Sequence, residues 1–365
     1  MENKGNRNSN FELLRVLAIL MIISLHCFRH SADGRVFDSH LTFNKFVFIL
    51  IGSWGLVGVD IFIFISSWFL LDDNGKTNRV NLSKVIQIII MVGMYNLLTY
   101  MINHFVTGNQ VVVNDVIKSI LSALIGQYWF VIAYLLLYII HPVLNSVINS
   151  LCEKTLYHVS ISLFILVFVY KYIYGSAPIG TLSIFISIYF ISALIKRSFL
   201  SKKIMRVVSG AGIFSFAFII IIQVLYSIIG EDHGLISIII NRITISSISK
   251  YSPFMLLIAV SLFLYCSQRK DFCNLKVNKL ASTTLAVYVL HESDYINTII
   301  WDKCFHISSI FTRIEFPVLL IVIVISVFFV CAIIDLIVQP VYAVISKRFG
   351  KSLEKILRTY NGLIN

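Results

Sequence analysis

Charge is scarce in this chain of 365 residues: only 13% are Asp, Glu, Lys or Arg, against roughly 25% in a typical soluble domain. That is too little to cover a globular surface of this size. An ordinary soluble enzyme, a disordered protein and a secreted disulfide scaffold are therefore excluded. Proline is also rare, at five residues. No Pro/Gly linker, internal repeat or low-complexity tract divides the chain. The six cysteines form no CxxC pair, which argues against a zinc site, and no metal is expected. Only Cys27 and Cys304 fall near the outer face of the expected topology, and a disulfide between them is possible on that ground alone.

What is present is apolar. Hydrophobic residues make up 58% and mean hydropathy is +0.87. An α-helix needs roughly 20 apolar residues to cross about 30 Å of hydrocarbon. About ten such stretches are legible, at 11–28, 44–71, 83–106, 126–148, 156–174, 178–195, 207–229, 251–267, 281–300 and 316–345. They are too long for barrel strands and lack period-two alternation. The expected fold is all-α: a polytopic membrane protein with about ten transmembrane helices. Residues 1–345 form one transmembrane domain and 346–365 a basic tail. Segment 235–248 is apolar but interrupted by Asn241 and Arg242, which suits a re-entrant or interfacial piece. Segment 115–124 reads as an amphipathic lead-in to the fourth span. The first span has a basic lead but no small-residue cleavage site after it, so it is expected to be retained.

The formal net charge is +12. With the N-terminus in the cytoplasm, twenty of the thirty Lys and Arg residues fall on cytoplasmic segments and nine on outer ones. The positive-inside rule then places both termini in the cytoplasm, and the excess needs no nucleic acid to explain it. The remaining basic residue, Arg15, lies inside the first span.

Ionisable residues inside a membrane are costly and mark candidate sites. Arg15 and His26 are eleven residues apart, about three turns plus 20°, so they share one helix face about 16 Å apart along the axis. A guanidinium at one end suits an anion; an imidazole at the other suits proton transfer. Snorkelling of Arg15 and an interfacial His26 are the alternatives. Asp60 lies amid apolar residues in the second span and needs a partner, either His26 or an arginine; a packing ion pair is the alternative. Gly55 and Gly58 beside it allow close helix approach. In the ninth span His291, Glu292 and Asp294 cluster, with His291 and Asp294 three apart on one helix surface. They form either a second polar wall of the same cavity or the wet end of a span that stops early. Trp129, with Tyr128, Tyr134 and Tyr138, lines a cavity or belongs to an aromatic belt. His141-Pro142 suggests a kink. Asp335 in the last span is similar in type to Asp60 but has no motif around it. Arg79 and Lys84, after the second span, are candidates for an anionic ligand or simple topological anchors.

These residues resemble the acyltransferase-3 family of integral membrane acyltransferases. Arg15–x10–His26 matches the family's first-span spacing, and Asn10-Phe11-Glu12-Leu13-Leu14 resembles its lead. The run Gly58-Val59-Asp60-Ile61-Phe62-Ile63-Phe64-Ile65-Ser66 resembles GVDxFFxxSG, with Ser67 where the family has glycine. Trp129-Phe130 and Tyr288-Val289-Leu290-His291 resemble later motifs. The paired arginines common after the second span are reduced here to Arg79, followed by Lys84. The resemblance implies transfer of an acyl group, usually acetyl from acetyl-CoA, to a hydroxyl of a surface or capsular polysaccharide or its lipid-linked precursor at a bacterial cell membrane. In that chemistry His26 is the general base, oriented by Asp60 or Glu292. Arg15, Arg79 and Lys84 hold the acyl-CoA phosphates, and Trp129, His291 and Asp294 contact the acceptor. The rival class is a polysaccharide exporter or flippase; a third is a non-catalytic partner of a glycan assembly complex.

Overall fold

The computed structural model describes residues 7–31, 42–71, 80–174, 180–197, 202–229 and 234–364. Among these residues every regular element is a helix. In chain order they are α1 (Ser9–Ser31), α2 (Phe43–Ser53), α3 (Gly55–Leu70), α4 (Leu82–Thr107), α5 (Val113–Ile120), α6 (Trp129–Ser150), α7 (Glu153–Phe164) and α8 (Tyr170–Tyr174). There follow α9 (Leu182–Arg197), α10 (Lys202–Ile229), α11 (Leu235–Ser247), α12 (Pro253–Ser267), α13 (Leu275–Ala281), α14 (Thr284–His291), α15 (Ile307–Ile310) and α16 (Phe316–Ile364). Among the described residues six helices are long and apolar enough to cross a membrane: α1, the nearly continuous α2–α3, α4, α6, α10 and α16. The chain is thus an all-α, multi-pass membrane protein.

The local starts and stops follow ordinary capping chemistry. Thr42, Asn81 and Ser252 cap the N-termini of α2, α4 and α12 with side-chain oxygens that accept backbone N–H groups. Pro253 sits in the first turn of α12, where its missing N–H costs nothing. Gly108 ends α4 in the left-handed region at φ 71°, its N–H returning to the His104 carbonyl. At the end of α9, Lys196 Nζ donates to the Trp68 and Leu71 carbonyls, both at 3.2 Å, and Arg197 Nη1 to the Ile148 carbonyl at 2.7 Å. These two basic residues thus satisfy the orphan carbonyls ending α3 and α6. Arg197→Ala is expected to lower stability by about 1–2 kcal/mol, read as a lower melting temperature in detergent.

The site rests on α1 and α3, which are among the most enclosed of the long helices: 61% of the apolar window of α1 and 78% of that of α2–α3 are buried, against 28% for α10. They cross where Gly55 and Gly58 remove side-chain bulk. A Cβ on Gly58 would stand 2.4 Å from the Ala18 carbonyl oxygen, and one on Gly55 would stand 2.2 Å from Leu25 Cβ. Gly58→Val is therefore expected to force the two backbones apart, costing about 1–3 kcal/mol; the check is a fall in folded yield and melting temperature.

One expectation about the elements changes. The stretch 281–300 is not one span: α14 stops at His291, and a turn through 292–296 leads into a π-helical run, Ile299–Cys304. Ser293 and Asp294 find partners off the helix axis, which a continued helix would deny them. Past residue 346 the chain stays helical, with α16 running through Pro340 to Ile364. Cys27 and Cys304 are both free thiols. Segment 235–248 forms a helix of 13 residues, about 20 Å long and too short to span.

Candidate active site

Along α1, Arg15, Ile19, Ile22, His26 and Arg29 recur at spacings of four and three, so they form one stripe. Ile19, Ile22, His26 and Arg29 make up part of the wall of a narrow cleft that is partly open to the exterior. Leu56, Val59 and Phe62 of α3 face them, and Trp129, Phe130 and Tyr288 complete the wall. The wall is apolar apart from a few groups. His26 is nearly buried, at 4% exposure.

The imidazole of His26 is held from one side. Its Nδ1 lies 2.8 Å from His291 Nε2 and 2.9 Å from the Glu292 carboxylate. The proton positions follow from the partners. His291 Nδ1 is 2.5 Å from the Val287 carbonyl, which can only accept, so this nitrogen carries the proton of a neutral His291. His291 Nε2 is then a lone pair. His26 Nδ1 thus meets two acceptors and must carry its own proton. In neutral His26 the Nε2 lone pair has no partner among the described residues. That is the atom left for the cleft, and it can accept a proton. His30, one turn along α1, holds the same Glu292 oxygen at 3.1 Å.

Glu292 caps the C-terminus of α14. Just beyond it, buried Ser293 donates to Asn96 Oδ1 at 2.8 Å, and Gln127 Nε2 donates to Asp294 at 3.2 Å. Asp294 therefore faces Gln127 and does not share a helix surface with His291. His291 is fully buried and stands behind His26 instead of on the cleft wall; its contacts suit a support for the imidazole more than a contact to substrate. Trp129 does line the cleft, with Lys250 Nζ 5.0 Å from the centre of its ring.

At the other end of the stripe, Arg15 Nη1 binds Glu12 Oε2 at 2.7 Å, and Arg7 stands 3.9 Å from the other oxygen of the same buried carboxylate. Two guanidiniums on one carboxylate leave a net positive charge there. Lys84 lies elsewhere, its Nζ 4.8 Å from the centre of the Tyr138 ring. Arg79 lies outside the described residues. Asp60 is buried at 3% exposure and has neither hydrogen bond nor ion pair among the described residues. It does not orient His26; Glu292 occupies that place.

Sequence reasoning passed over Glu12, His30, Arg29 and Asn96. Glu12 and His30 were findable, since each stands three or four residues from Arg15 or His26 on α1. Nothing local marks Asn96.

A family model, the acyltransferase domain of the acyltransferase-3 family, matches residues 8–336. Searches of curated proteins and of solved structures gave no match. The matched region contains α1, the cleft, the His26–Glu292 contact and the first part of α16, so the motifs and the family model point to the same part of the chain. This chain belongs to the acyltransferase-3 family and is a multi-pass membrane acyltransferase.

Proposed function

We propose that the protein is an O-acetyltransferase that moves acetyl from cytoplasmic acetyl-CoA to a hydroxyl of a surface or capsular polysaccharide, or of its lipid-linked precursor, in a bacterial cell membrane with both termini inside. The observation that carries this reading is the His26 ring, with Nδ1–H directed at Glu292 and His291 and Nε2 left to an apolar cleft beside Trp129. Acetyl-CoA supplies an activated thioester. His26 Nε2 takes the proton of the acceptor hydroxyl as its oxygen bonds to the acetyl carbon. The carbon–sulfur bond breaks, and the proton passes from His26 to the leaving thiolate. The Glu292 carboxylate, at 2.9 Å, stabilises the transient imidazolium. Trp129 gives the sugar a stacking face.

Arg15 suits the phosphates of the donor: its side chain is 19% exposed, one of its guanidinium nitrogens is engaged by Glu12, and the others remain for an anion. About 16 Å of helix separates it from His26, a distance that an extended pantetheine arm covers. Lys84 and Arg79 are further candidates for the same phosphates. Arg15→Lys keeps a charge for buried Glu12 but loses the planar fork. It is expected to raise KM for acetyl-CoA about tenfold with little change in melting temperature. An unchanged KM means that Arg15 serves only Glu12.

The deciding experiment uses purified protein, labelled acetyl-CoA and isolated glycan, together with NMR of the surface polysaccharide from wild-type and deletion strains. Acetyl transfer in vitro and loss of O-acetyl groups from a polymer of normal length are expected. Loss of the surface polymer itself, with cytoplasmic accumulation, overturns the reading in favour of an exporter.

A further inference from the structure

Glu292 stands at a point where the chain leaves a helix, and a carboxylate on an unsupported turn would not hold a fixed place against His26. Its support comes from one face of α4. Asn96, Thr99, Tyr100 and Asn103 follow one another at helical spacings of one, three or four, and each meets the turn. Asn96 Oδ1 accepts from the Ser293 hydroxyl at 2.8 Å and from the Tyr128 hydroxyl at 2.9 Å. Asn96 Nδ2 donates to Gln127 Oε1 at 2.7 Å, and Gln127 in turn donates to Asp294. The Thr99 hydroxyl lies 2.7 Å from Ser293 Oγ. Asn103 Nδ2 donates to the Tyr295 carbonyl at 2.5 Å, and the Tyr100 ring meets that of Tyr295 edge-on with centroids 5.0 Å apart. The three residues after Glu292 are thus all tied to α4 or to a residue that α4 holds.

We propose that Asn96 is a positioning residue for acyl transfer: through Ser293 it fixes the turn that presents the Glu292 carboxylate to His26. The inference rests on the reading of His26 as the base. Asn96 is fully buried, and three of its side-chain hydrogen bonds converge on this turn or its neighbours. It has no hydrogen bond to His26 among the described residues and does not line the cleft. Its direct route to the imidazole runs through Ser293 and the neighbouring Glu292. A small displacement of a catalytic group is enough to slow a reaction strongly.

The test is a double-mutant cycle in the acetyl-transfer assay, with melting temperature in detergent measured beside it. Ser293→Ala removes one hydroxyl and little volume; Asn96→Leu removes the whole tie at similar size. Each is made alone and together with Glu292→Gln. Either single variant is expected to lower kcat about tenfold or more, with KM for acetyl-CoA unchanged. In the Glu292→Gln background the same substitution is expected to cost nothing further, because the group it positions is already gone. An equal loss in both backgrounds, or no loss in either, overturns the proposal. If Asn96→Leu does not fold, Ser293→Ala decides. If the wild-type protein transfers no acetyl, or if His26→Ala keeps full activity, the reading of the site fails and the inference fails with it. Transfer that depends on His26 but shows additive losses refutes the inference alone.

Discussion

Replacing His26 by alanine is expected to lower kcat about 10²- to 10⁴-fold, the range over which a positioned general base contributes. The argument is geometric. Both acceptors around Nδ1 compel it to carry the proton, so Nε2 is the available base. Among the described residues no other imidazole lies on the cleft wall, and His291 is behind His26 and fully buried. Alanine also leaves a cavity, so His26→Gln, which fills most of the space, serves as a control for folding. Loss of turnover in both variants, with acetyl-CoA still bound and melting temperature close to wild type, is the expected pattern. Full activity in His26→Ala would remove His26 from the chemistry.

Glu292→Gln is expected to lower kcat about 10²-fold, less than His26→Ala. In a Ser-His-Asp triad, changing the carboxylate to an amide allows the wrong imidazole tautomer, and the loss is larger. Here His291 Nε2 is a second acceptor at 2.8 Å, so the correct tautomer of His26 persists without Glu292. What disappears is the negative charge that stabilises the imidazolium as it forms. Combining Glu292→Gln with His291→Ala should then cost more than either change alone. Asp294→Asn, whose carboxylate reaches Gln127 and not the imidazoles, should be nearly silent. Equal losses for Glu292→Gln and Asp294→Asn would mean that the loop needs its charge in general and that Glu292 has no particular role.

Much of the architecture is legible in the sequence because the signals are local. Long apolar runs need no tertiary context to be read as helices, since an unsatisfied backbone in lipid is too costly for any other open form. The Gly55 and Gly58 pair is likewise read correctly as a close-packing face, and its partner is α1. The ninth stretch is misread for a physical reason. Apolar residues resume after Asp294, but the polar side chains of Ser293 and Asp294 are satisfied by α4 and Gln127, and that pairing outweighs continuation of the helix. Asp60 shows the opposite failure. A carboxyl in an apolar run invites pairing with the nearest titratable group, yet the structure gives it no partner among the described residues, and nothing there explains its retention.

The sequence by itself determined that this is a helical membrane protein, that Arg15 and His26 share a face of the first helix, and which family the motifs resemble. Those are matters of composition and of a helical period that repeats every few residues. The tertiary structure alone decided which carboxylate serves His26, which ring nitrogen is free, and what holds the supporting turn. His26 and His291 are 265 residues apart in the chain, and Asn96 comes from a third element. No local period records such a meeting; it exists only because α1, α4 and α14 pack together and bury polar groups that must find one another.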